Sequence, residues 1–150
     1  MNKDFASLLP EAKSFAEKVA QAEAEEAARL LKMKEEADAE KQLLLDHLRK
    51  PSGVSDEEGI RRALRIIERA VQNGMTEVQV CRFPSRLCTD QGRSINQSES
   101  NWGLTLTGVP REIYNLWHKY FRDKGYKLIA EIVDFPDGVP GDAAITLKWG

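Results

Sequence analysis

Apolar residues recur along this chain in two rhythms. From Phe5 the steps alternate between four and three, through Leu9, Ala12, Ala16, Val19, Glu23, Glu26, Leu30, Met33, Ala37 and Glu40 to Leu44, and nine of these twelve positions are apolar. That is the spacing of a seam along one side of a helix. Alanine and glutamate, both strong helix formers, supply nine and eight of the thirty residues from Glu11 to Glu40, so one long helix is expected over residues 1–50. Ser7 can cap its start, Pro10 is tolerable in a first turn, and Pro51-Ser52-Gly53 supplies the stop. Three glutamates interrupt the seam and three of its apolar members are alanine, so the packing energy per turn is low. The readings are a mostly solvated helix whose ends dock on the rest of the chain, or a self-associating or partner-binding helix, as in a coiled coil. Leu43, Leu44, Leu45 and Leu48 read as its partner-binding end.

A second helix follows. Ser55 to Glu58 has the order of a capping box, and Ile60, Ala63, Leu64, Ile67, Ala70 and Val71 share a face that ends at Asn73-Gly74. Arg61, Arg62, Arg65 and Arg69 fall opposite, with Glu68 the acid expected to neutralise them. A strand is expected over Thr76–Phe83, with Val78 and Val80 on one side and Cys81 and Phe83 on the other. A short strand at Leu104–Leu106 precedes a third helix, which carries Ile113, Leu116, Trp117 and Tyr120 inward and ends at Gly125. The other rhythm, a period of two, appears at Tyr126–Phe135 and Ala143–Trp149, joined by a turn-rich Pro136–Gly141. These two segments form a hairpin in which Ile145, Leu147 and Trp149 face inward.

The fold class is therefore α+β: a long N-terminal helix, then a small antiparallel sheet of about three strands with a C-terminal hairpin, packed against two helices. Residues 1–50 are a helical arm, 51–53 a linker and 54–150 the α+β domain.

Residues 82–102 fit neither rhythm. A structureless loop of about twenty residues is uncommon inside a compact domain and tends to carry function. Phe83, Leu87, Ile95 and Trp102 are apolar anchors, and Thr89 to Gly92 reads as a turn in which Asp90 can bond its own backbone. Arg82, Arg86 and Arg93 offer forked donors for carboxylate or phosphate. With Asp90, Asn96 and Trp102 they make up the candidate contact surface of this loop. The bland alternative is that the arginines pair with nearby acids and the loop covers the sheet.

Composition narrows the function classes. The formal charge is −2, and residues 54–150 hold thirteen basic and thirteen acidic residues. Nucleic acid is thus not favoured as a partner unless charges segregate, with the helix arginines, the loop arginines, and Tyr114 and His118 as stacking groups. No apolar run reaches membrane-spanning length, and the N-terminus lacks the order of a signal peptide, so a cytoplasmic location and no membrane partner are expected. Six residues separate Cys81 from Cys88, and His47 and His118 lie far off, which argues against a metal site. No phosphate cradle or nucleophile elbow is present, and no cofactor is expected. Cys88, between Arg86 and Asp90, is the one candidate reactive thiol, against the plainer reading of a buried cysteine. The expectation is a non-catalytic interaction or regulatory protein that self-associates or binds a partner through its arm, with the 82–102 loop as a second surface. The alternatives are an anion or nucleic-acid binder and a small thiol enzyme.

Overall fold

A computed structural model describes residues 5–150. The chain divides into two compact units, one ending at Leu43 and the other running from Leu44 to Gly150. The first four residues of the expected arm lie outside the described residues.

In the first unit a 3-10 turn over Phe5–Leu8 precedes helix α1, Ala12–Arg49. The helix begins beyond Pro10 rather than at Ser7, because a proline pushes the residue before it out of helical geometry. Up to Leu43 every described residue except Ser14 is exposed. This stretch therefore rests on intrinsic propensity and on local pairs such as Arg29–Glu26 at 2.5 Å and Lys13–Glu17 at 3.9 Å, worth about 0.2–0.5 kcal/mol each.

The second unit takes in the last turns of α1, with Leu45 and Leu48 in its core. The connection that follows is held by Glu112, whose carboxylate accepts from the Ser52 amide at 3.0 Å and its hydroxyl at 2.6 Å. Helix α2, Asp56–Gln72, starts where expected: the Ser55 hydroxyl accepts from the Glu58 amide at 3.2 Å. Ile60, Ala63, Ile67 and Ala70 form its inner stripe, whereas Leu64 and Val71, expected inside, are about half exposed.

Strands β1, Glu77–Pro84, β2, Lys127–Ile132, and β3, Asp142–Lys148, make one antiparallel sheet in the order β1-β3-β2. The hairpin of β2 and β3 is as read from the sequence, and β3 is the middle strand. Its partners place Phe83 and Ile132 beside Ala143, Cys81 and Ala130 beside Ile145, and Val78 and Leu128 beside Leu147. All of these share one face. The expected split of Val78 from Cys81 and Phe83 is corrected by a bulge between Gln79 and Cys81, where Val80 is the extra residue. A bulge sets two residues against one and reverses the alternation beyond it. The other face carries Arg82, Ala144 and Glu131 in one row and Gln79, Thr146 and Ile129 in the next.

Between β1 and the next long helix lie a 3-10 turn at Ser85–Leu87, a single helical turn α3 at Arg93–Asn96 and a 3-10 turn at Trp102–Thr105. The short strand expected at Leu104–Leu106 is absent. The Leu104 amide bonds Asn101 O at 3.0 Å and the Thr105 hydroxyl bonds Trp102 O at 2.7 Å, which closes the backbone on itself.

Helix α4, Gly108–Leu116, continues as a π turn over Trp117–Phe121 and a 3-10 turn to Lys124, and Gly125 at φ 91° ends it. Gly108 has φ 59° and lies against the backbone of Leu48 and Arg49, so a Cβ there meets the Leu48 carbonyl. The end of α1 and the start of α4 thus touch through backbone. Helices α2 and α4 cover the apolar face of the sheet, and Pro110 and Phe121 are the buried residues of the α4 segment.

Candidate functional site

Along α1 the expected seam is exposed. Val19, Leu30 and Met33 retain 58%, 53% and 53% of their surface, and Phe15 stands beside the same line at 52%. Val19, Ala22, Glu23, Glu26, Ala27 and Leu30 line one shallow trough on this helix. Arg29 clamps Glu26 with two hydrogen bonds of 2.5 and 3.0 Å, which holds both side chains beside the trough.

The four leucines read as the arm's partner-binding end do not form one surface. Leu43 and Leu44 are exposed, whereas Leu45 at 1% and Leu48 at 7% belong to the core of the second unit. A turn of 100° per residue separates Leu44 from Leu45, enough to move a side chain from surface to core. Leu45 and Leu48 are therefore corrected from contact residues to core residues.

The segment from 82 to 102 is ordered by its own polar groups. Asp90 accepts from the amides of Gly92 at 3.0 Å and Ser94 at 2.9 Å, the backbone bonding expected of it. Partial desolvation works against the charged carboxylate, but the donors of Ser94 and Gly92 outweigh it and hold Asp90 below its ordinary pKa. Further ties run from the Thr89 amide to Thr105 O at 2.8 Å, the Ser85 amide to Gly141 O at 2.9 Å and the Thr107 hydroxyl to Leu87 O at 2.5 Å. Phe83, Leu87 and Ile95 are buried, as anchors should be. Arg82 lies on β1 and donates to Asp142 at 3.0 Å, with Asp134 at 3.5 Å, so it ties the strands together. Trp102 packs edge-on against Tyr114 with ring centroids 5.5 Å apart. Of the six loop candidates, Arg82, Asp90 and Trp102 thus have partners within the fold, while Arg86, Arg93 and Asn96 are exposed.

The arginine face of α2 is partly neutralised by acids one or two turns earlier rather than by Glu68. Arg61 meets Glu57 at 2.6 Å, and Arg62 and Arg65 meet Glu58 at 3.3 and 3.4 Å. The Arg62 hydrogen bond, chiefly, lowers the Glu58 pKa. Tyr114 and His118, the candidate stacking pair, stack on each other at 6.0 Å, and the Arg111 guanidinium lies 5.6 Å from the Tyr114 ring. His118 Nε2 is 3.0 Å from Arg122, and since a guanidinium only donates, that nitrogen accepts.

Cys88 is buried, and burial is the main cause that raises its pKa. Burial pushes the Cys81 thiol up to about 11. Neither environment activates a thiolate. Among the described residues no group of three or more His, Cys, Asp or Glu side chains could hold a metal ion, and no helix is long and apolar enough to cross a membrane.

A cleft of about 660 Å³ opens between α2 and α4, with Val80, Leu128 and Leu147 of the sheet at its floor. Ala63 and Ile66 form one wall and Ile113 and Leu116 the other. The two helices come close at Gly59, where a Cβ would sit 3.0 Å from Leu116 Cδ2. Asp56, at the rim, accepts from the Tyr120 hydroxyl at 2.8 Å and from Lys119 at 3.3 Å, and these bonds lower its pKa. A glycine inside an amphipathic stripe was the available signal for this close approach. No family model, curated protein or solved structure matches the chain.

Proposed function

We propose that this chain is a non-catalytic interaction protein that self-associates through its N-terminal helix, along the side marked by Phe15, Val19, Leu30, Met33 and Leu44. The exposure of that line over about 45 Å of helix carries the reading. A large apolar side chain moved from water to a packed environment contributes about 1.5–3 kcal/mol, and these residues are already half covered, so each has about 1 kcal/mol left to gain. Set against an association cost of about 4 kcal/mol or more, that total supports a concentration-dependent complex rather than a permanent one. The exposed Arg86, Arg93 and Asn96 offer a second contact surface. Anion binding by α2 is the weaker reading, because Glu57 and Glu58 already occupy three of its four arginines. A thiol enzyme is weaker still, given the buried Cys88.

Sedimentation of the full chain across the micromolar range tests the proposal. The wild type should shift toward a larger species with concentration, and a Val19→Glu, Leu30→Glu double variant should remain monomeric with unchanged tryptophan fluorescence. A wild type that stays monomeric throughout, or a variant that associates equally well, overturns it.

A further inference from the structure

We infer that the partner of α1 is the same helix of a second copy, running antiparallel and centred on residue 28; the inference rests on the self-association reading above. The order of charges along the helix carries it. Acidic Glu23, Glu25 and Glu26 are followed by basic Arg29, Lys32 and Lys34, and then by acidic Glu35, Glu36, Asp38 and Glu40. Glu23, Glu26 and Glu40 lie in the seam itself. A parallel pair in register sets each of these glutamates against its own copy in the least hydrated part of the interface. It also brings Arg29 of each chain toward Lys34 of the other. Like charges so placed oppose association.

An antiparallel pair centred on residue 28 takes the three seam glutamates away from their own copies and Arg29 away from Lys34, while Lys13 and Lys41 meet at one hydrated flank. Its seam brings Ala12 opposite Leu44, Ala16 opposite Glu40, Val19 opposite Ala37, Glu23 opposite Met33 and Glu26 opposite Leu30. The spacing of fours and threes is symmetric about that centre, so each seam residue from Ala12 to Leu44 meets another seam residue. Glu23 then lies beside Lys34 of the other copy, and Glu26 beside its Arg29. Phe15 falls next to Leu43, the most exposed leucine at this end of the helix, at 70%. The register is also fixed. A slide of one heptad in one direction sets Glu23 against Glu26, and in the other direction sets Glu23 against Glu40. At the centre Ala27 lies beside Ala27 on one flank of the seam and Arg29 beside Arg29 on the other.

The test is a distance between copies. A nitroxide on Glu11→Cys in the full chain reports it, since Glu11 is exposed while Cys81 and Cys88 pack in the domain core. The antiparallel pair places the two labels about 50 Å apart along the helix axis. A parallel pair places them near the interhelix spacing of about 10 Å. A long distance supports the inference. A short one overturns it and leaves the self-association reading standing, whereas no intermolecular distance at concentrations that saturate any dimer overturns both.

Discussion

Replacing Leu45 with alanine, beside the same replacement at Leu44, tests whether the last turns of α1 belong to the domain. The two leucines are adjacent on one helix and chemically identical, yet Leu45 keeps 1% of its surface and Leu44 keeps 53%. Truncating a fully buried leucine removes its transfer energy and leaves a cavity, a loss of about 3–4 kcal/mol. Leucine and alanine have similar helix propensity, so Leu44→Ala should change stability by less than about 0.5 kcal/mol. Trp102, Trp117 and Trp149 all lie in the second unit, so urea unfolding followed by tryptophan emission reads that unit alone. With a slope of about 1.5–2 kcal/mol per molar urea, the Leu45→Ala midpoint should fall by about 2 M while that of Leu44→Ala stays in place. Equal midpoints for the two variants would refute the assignment of Leu45 to the core.

Two other outcomes follow from the buried and bonded groups. At pH 8 the Cys81 thiol of the folded protein should alkylate about 100-fold more slowly than in urea, and Cys88 more slowly than in urea as well, because burial leaves little thiolate; fast labelling of Cys88 would bring back the thiol-enzyme reading. Asp90 is held below its ordinary pKa, so its contribution is complete above the unfolded value of about 3.9 and is lost as pH falls through the folded value. The amide resonances of Gly92 and Ser94 should hold steady down to about pH 4 and move only below it, and a transition centred near pH 6 would refute the cap.

Much of the fold was legible because it rests on local rules. The Ser55 cap, the glycine after α2, the hairpin of β2 and β3, and the reach of α1 each follow from residue types at fixed spacing. The errors came where a rule was interrupted. One extra residue at Val80 reversed the facing of the strand, and nothing in its side chain announces a bulge. Leu45 and Leu48 carry the same letters as Leu43 and Leu44, so only tertiary packing tells core from surface there. The 82–102 segment lacked a period because hydrogen bonds accepted by Asp90 and donated by Ser94, Thr105 and Thr107 shape it. Its apolar anchors were recognisable one by one. The α2–α4 cleft depends on how two helices diverge, which no single segment encodes.

The strand in the middle of the sheet is also the last of the three to be made. Neither β1 nor β2 has a neighbour until β3 arrives, so during synthesis the ribosome holds a chain whose sheet cannot close. Helix α1, by contrast, needs nothing that follows Leu43 in order to coil. At about 5–20 residues per second, the interval between completing α1 and completing β3 is about 5–20 s. Two nascent chains on one message would have that long for their helices to meet before either domain has folded.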